Sequence, residues 1–410
     1  MNLGKNILKY INLIFLFSFF PSLVTGVFLP NAIYALLVIT NITLNFSYLK
    51  KNLQKFKIFT LIFFLFYSLI IFSSLNSSFV IFSLKTSLLY FSYIIYVISI
   101  IFIFLENDKY EKFFLYIGLI TFFILSLDAI YEIFNGSNIL EYSAIKGRIA
   151  GLFGDRWVIG SYLVRLLPIM IGMFLINYYK IDKKIRYFAY IVFFLSSIII
   201  IFSGERKALL LFCLYFFLIV FYLSNKINFK KITIFFTASI ILIISPFFID
   251  DYKSRIKQQV VHHATNTNLD ENQYLSMFIS SYKMFLDSPI IGIGPNNFRK
   301  VCQFDEYNLS RYSCNTHTHN IPLQLLSEIG FIGFMLVYVV FFYFLYTLFL
   351  LFRKEFDLKH FGLYSIICSI IINLWPLVPS GNFFLSWYGI IFYLPIGLYL
   401  MYLSKYKILR

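Results

Sequence analysis

The chain has 410 residues; 60% are hydrophobic, only 13% are charged, and the formal net charge is +16. An ordinary soluble domain carries about 25% charged residues, so a soluble globular protein is excluded. Long stretches offer no polar face, and the expected fold class is an all-α polytopic membrane protein.

A membrane-spanning helix needs roughly 20 mostly apolar residues. In chain order such runs lie at 8–25, 28–48, 58–75, 79–105, 113–134, 158–178, 187–203, 207–224, 232–249, 321–352, 361–377 and 383–403. They predict about twelve transmembrane helices. The first run follows Lys5 and Lys9 and has the outline of a signal peptide. A second run follows almost at once, so the first is read as an uncleaved anchor. The first five helices occupy 1–134, and a loop at 135–157 follows them. Helices six to nine occupy 158–249. A large, partly helical loop fills 250–320, and the last three helices take up 321–410. No internal repeat is visible.

Cytoplasmic loops are enriched in Lys and Arg. Here these residues gather at the start, at 50–57, 109–112, 180–186, 226–231, 353–359 and 405–410, which are alternate connections. That pattern puts both termini in the cytoplasm and the loops at 135–157 and 250–320 on the opposite side, which in a bacterium means an inner-membrane protein with these loops in the periplasm. Most of the +16 reflects this bias, and no nucleic-acid partner is expected.

The strongest local signal runs from Gly292 to Gly333. Its opening, GIGPNNF, is built of turn formers. Arg299 and Lys300 follow. Cys302 and Cys314 bracket a polar loop, and an oxidising compartment favours a disulfide between them. Cys213 and Cys368 lie in apolar runs and read as small core residues. His317 and His319 stand just before a helix start, with Asn320 as N-cap and Pro322 in the first turn. At about 100° per residue, Gly330 and Gly333 return near the face of His319, a smooth flank for another helix. The helix N-terminus below His319 would favour an anion. A lone His at a helix start is often only a capping or surface residue. His317 and His319 are also spaced for metal binding, with His262 and His263 in the same loop, but no carboxylate pair completes a site.

The second signal is cationic. Arg206 opens a helix in SGERKALL, Arg148 and Arg156 precede another in KGRIAGLFGDRW, and Arg165 lies further in. Arg255, Arg299 and Arg311 lie in the long loop. Guanidinium forks match phosphate oxygens, so these Arg point to a phosphate ligand; the bland alternative is pairing with Glu205, Asp155 and Asp251 or snorkelling to the interface.

With these motifs the chain resembles the O-antigen ligase family of membrane glycosyltransferases. His319-Asn320, nine residues, Gly330, two residues and Gly333 reproduce the family's His signature. SGERKALL, with a Glu inserted, is similar to its Arg-containing helix start, and GIGPNNF to its Gly-x-Gly turn. One departure is Gln273-Tyr274, where many members have Arg or His; Arg255 or Lys283 are possible substitutes. The resemblance implies transfer of a glycan from undecaprenyl diphosphate to lipid A-core or a similar acceptor. The reaction would invert the anomeric centre without a metal or other cofactor. It implies His319 as general base and Arg206, Arg148, Arg299 and Arg156 around the donor diphosphate. His317, Asn320, Glu328 and Arg255 would support them, and membrane lipids would surround the protein. A polysaccharide polymerase is the main alternative reading; a protein glycosyltransferase and a lipid-linked sugar transporter are the others. A transporter would be expected to show two related halves.

Overall fold

The computed structural model describes residues 2–142, 147–226 and 265–406. Among these residues every regular element is a helix. The apolar runs fold as α1 (Asn2–Val24), α2 (Phe28–Leu44), α3 (Phe46–Lys55), α4 (Lys57–Leu75), α5 (Val80–Tyr90), α6 (Ser92–Glu106) and α7 (Asp108–Asn135). They continue as α8 (Ile159–Ile176), α9 (Lys183–Phe202) and α10 (Arg206–Ser224). The long loop contributes α11 (Gln273–Asp287) and the short α12 (Phe298–Val301), and α13 (Ile321–Arg353), α14 (Leu358–Leu374) and α15 (Ser386–Tyr406) follow.

Nine of these segments are long and apolar enough to cross a membrane, with α5 and α6 counted as one span, Val80–Glu106. Helix α14 is a shorter apolar helix. The expected span at 28–48 is broken: α3 turns 95° away from α2 at Asn45. The cause is compositional, because α3 (FSYLKKNLQK) is polar on one side and cannot lie in hydrocarbon on all faces. The expected helix at 232–249, together with Arg255, His262 and His263, lies outside the described residues.

Helices α8 and α14 form the centre. Gly172 and Gly362 meet backbone to backbone: a Cβ on either would fall 2.6 Å from the other's carbonyl oxygen. Small residues permit such close approach where lipid supplies no hydrophobic drive. Ser365 and Ser369 of α14 then donate to the carbonyls of Pro168 and Arg165 on α8, at 2.8 and 2.9 Å. At the far end, buried Glu111 accepts from Tyr402 at 2.8 Å and from Asn177 at 3.0 Å, which ties α7, α8 and α15 together. The opposite end of the bundle gathers the helix termini that carry the polar motifs.

Candidate functional site

The site begins with a backbone clasp. Gly330 is not helical (φ 68°, ψ −175°) and breaks α13. A Cβ there would lie 2.2 Å from the Ile290 carbonyl oxygen. The break frees backbone groups, and the GIGPNNF turn takes them up. Ile293 and Gly294 donate to the carbonyls of Ser327 and Glu328, both at 2.9 Å, and Phe331 donates to the Pro289 carbonyl at 2.8 Å. The same-face expectation for Gly330 and Gly333 is therefore corrected. His319 stands outside the helix at φ 54°, Gly330 leaves helical geometry, and the flank at Gly330 is packed by a loop. Gly333 faces its own neighbour Ile329.

Glu328, fully buried, holds this clasp. Its carboxylate accepts from the Phe298 amide at 3.0 Å, at the start of α12, and from Gln324 Nε2 at 2.9 Å. Gln324 also donates to Asn382 Oδ1 at 2.7 Å, and Asn382 donates to Asn296 Oδ1 at 2.9 Å. Asn296 Oδ1 accepts from Arg299 Nη2 at 2.9 Å. One polar chain thus links α13, the C-terminal segment 375–385 and the arginine of α12. Above it, Met277, Met284, Phe298, Val301 and Tyr307 form a small core beneath α11. Cys302 and Cys314 are joined as a disulfide with Cα atoms 5.2 Å apart. Tyr307 donates to Asp287 at 2.7 Å; burial first, then that carboxylate, raise its hydroxyl above the usual range.

The histidine segment lies on the Ser380 strand of loop. Ser380 donates its amide to the His319 carbonyl at 2.8 Å. Asn320 caps α13, its Oδ1 accepting from Leu323 N at 3.0 Å, and its amide donates to the Pro376 carbonyl at 3.0 Å. His317 is buried and fully engaged. Its Nε2 faces the Ser380 carbonyl at 3.2 Å and must carry the proton, because a carbonyl only accepts. Its Nδ1 then accepts from Thr316 Oγ1 at 2.9 Å. Burial, followed by neighbouring His319, pushes the His317 imidazole down to about 3, against the pull of the Ser380 carbonyl. A neutral ring with both nitrogens occupied suits neither a proton acceptor nor a metal ligand. Among the described residues no three His, Cys, Asp or Glu come together as a metal site.

His319 differs. It is half-buried, its ring 4.0 Å from that of His317 and 6.2 Å from that of Tyr274. Burial first and then Lys207 hold its imidazole below the usual value, with the Ser380 carbonyl opposing them. It is neutral at ordinary pH and free of the positive charge that would prevent it from taking a proton.

The cations come from other helix ends. Gly204 (φ +70°) makes the turn between α9 and α10, and a Cβ there would lie 1.9 Å from the Gly147 carbonyl oxygen. This contact lays the Gly147–Arg148 backbone on the start of α10. Glu205, the residue inserted in the motif, caps α8: its carboxylate accepts from the amides of Gly160 and Ser161 at 2.7 and 3.1 Å. Arg206 is within electrostatic range of Tyr274 and Arg148. The guanidinium of Arg148 lies 5.6 Å over the Trp157 ring. The Nε atoms of Arg148 and Arg299 are buried and have no hydrogen-bond partner among the described residues.

Besides Arg299, three arginines are engaged by the protein itself. Arg156 donates to the Val24 carbonyl at 3.1 Å, at the end of α1. Arg165 donates to Asn373 at 2.9 Å and to the Ser161 carbonyl at 3.1 Å, inside the bundle. Arg311 donates to the Asp270 carbonyl at 3.0 Å. Lys283 is exposed. Sequence reading missed Lys207, Gln324, Asn296 and Asn382, and passed over Tyr274 as a mere departure. Only Lys207 carried a signal, as a second cation at a helix start beside Arg206.

The fold and this cluster define a multi-pass α-helical membrane protein with a polar, cation-bearing site at one end of the bundle. The family model described as O-Antigen ligase matches residues 191–338. The O-antigen ligase domain thus runs from α9 through the long loop into α13, which supports placing the chain in that family. The match includes Arg206, Arg299, the cysteine pair, His317, His319, Asn320 and Glu328, and leaves Arg148 and Arg156 outside. No curated protein matches the chain. The domain supports a membrane enzyme of the ligase or polymerase type.

Proposed function

We propose that the protein is an O-antigen ligase-like glycosyltransferase of the bacterial inner membrane, with its site on the periplasmic side. The acceptor hydroxyl oxygen attacks the anomeric carbon of a glycan carried on undecaprenyl diphosphate. The bond between that carbon and the diphosphate oxygen breaks, and its electron pair leaves with the lipid. The hydroxyl proton passes to His319. Arg206, Arg148 and Arg299 take up the charge that develops on the diphosphate, a role for which positioned cations suit a site shielded from water. Arg156 and His317 have structural parts instead, one at the end of α1 and the other beneath His319.

The observation that carries this reading is the place of Tyr274 of α11, whose ring lies 6.2 Å from that of His319 and which is within electrostatic range of Arg206. Residues far apart in sequence, one assigned the proton and one the diphosphate, thus share Tyr274 as a neighbour, which supports the reading. Purified protein with a lipid-diphosphate-linked glycan and lipid A-core tests the reading. Glycan appearing on lipid A-core supports a ligase. Longer glycan on the carrier lipid alone makes the protein a polymerase, and no transfer to either removes the reading.

A further inference from the structure

A cavity of about 680 Å³ lies between α4, α13 and α15, with Lys55 and Lys57 at one end and Leu374 and Phe383 at the other. The orientation of α4 follows from its contacts. Ser73, near its C-terminus, donates to the Glu328 carbonyl at 3.1 Å in the clasp, so its N-terminus at Lys57 faces the far side. Phe63, Val340, Tyr393 and Leu400 wall the cavity. Along α4 it extends from Lys57 to Phe66, about 14 Å at 1.5 Å per residue. That is about half of a ~30 Å hydrocarbon core. Ile58 and Val339 on its rim are exposed, so it opens sideways.

Its mouth is cationic. Lys55 and Lys57 line it, and Lys50 and Lys51 stand exposed on neighbouring α3. Lys55 donates to Ser404 at the end of α15, which holds it at the opening. The first acidic residue of the chain is Glu106, and none of the four lysines forms an ion pair among the described residues. Helix α3, short, basic on one side and turned 95° from α2, has the form of a helix lying along a membrane surface.

We infer that this cavity binds an anionic phospholipid, with one acyl chain between α4, α13 and α15 and the phosphate on Lys55 and Lys57. Lipids with negative headgroups are the partners that clustered lysines at a membrane surface select. A glycan donor with its diphosphate near His319 would meet these cations at the wrong end of the groove. The lysine mouth and the proposed transfer site lie at opposite ends of α4.

Purified protein is delipidated in neutral detergent and titrated with phosphatidylglycerol, or with phosphatidylcholine of the same chains. Bound lipid is read by native mass spectrometry and stability by thermal unfolding. Phosphatidylglycerol should be retained and should raise Tm more than phosphatidylcholine. The surface double variant Lys55→Gln/Lys57→Gln should fold and bind phosphatidylglycerol roughly 20- to 30-fold more weakly, about five-fold per lysine. Val340→Trp should reduce retention of both lipids. Equal binding of the two lipids, or an unchanged preference in the double lysine variant, overturns the inference. So does full stabilisation by inorganic phosphate alone, or displacement of phosphatidylglycerol by undecaprenyl diphosphate at equal concentration.

Discussion

Two regions meet at the His319 end of the bundle, and they treat their polar groups differently. In the clasp, Glu328, Gln324, Asn382 and the His317 ring are each hydrogen-bonded within the protein. Arg148, outside the clasp, and Arg299, at the clasp's edge with Nη2 on Asn296, keep buried Nε donors without a partner among the described residues. Buried donors left unpaired are costly, which makes these two arginines the ones to test by substitution. The two adjacent histidines repeat the contrast. His317 is sealed as part of the scaffold, and His319 is the half-buried ring to which the proposed function assigns the proton.

The largest expected effect separates the histidines. His319→Ala should lower transfer by roughly 10²- to 10⁴-fold, the usual worth of a general base, with Tm unchanged. His317→Ala should instead lower Tm, since it removes one buried and one part-buried hydrogen bond. Steady-state kinetics and thermal unfolding on the same preparations would decide; equal kinetic losses with equal Tm would abolish the distinction.

Gly330→Ala attacks the clasp. Left-handed backbone strain costs about 1–3 kcal/mol for a residue with a Cβ, and here the Cβ would also meet the Ile290 carbonyl. A Tm drop in detergent is expected, with activity lost through unfolding. Next in size, Arg148→Ala and Arg299→Ala should reduce kcat/KM for the lipid donor roughly 10- to 100-fold, the worth of a hydrogen bond to a charged group. Unchanged donor kinetics in both would leave the open donors without a ligand.

The smallest effect concerns pH. His319 is active when neutral, and its imidazole titrates below its usual value of about 6.5. Activity should therefore be flat near neutrality and fall only as the pH drops below about 6.5. Lys207→Met removes a positive neighbour, raises the His319 value and moves the acid limb to higher pH. A limb that stays in place would show that burial alone sets it.

Much of this was legible in the sequence, and the reason is local. Apolar runs of sufficient length must become helices in lipid, because nothing else satisfies the backbone there. Asn320 and Pro322 mark the start of α13 through contacts within one turn, and the spacing of the His signature is a property of the chain. The meaning of that spacing was not local. Gly330 looked like a smooth helix face, yet it is a break whose freed amide and carbonyls serve residues 289–294. Glu205 looked like an insertion, yet it caps a helix 45 positions away. Tyr274 looked like a missing charge, yet its ring lies 6.2 Å from that of His319. The sequence by itself determined that this is a membrane bundle carrying a histidine and several arginines on its loops. Only the tertiary structure decided which histidine ring is sealed by hydrogen bonds and which arginine Nε atoms lack a partner among the described residues, because satisfaction of a buried polar group depends on partners that the fold brings from elsewhere in the chain.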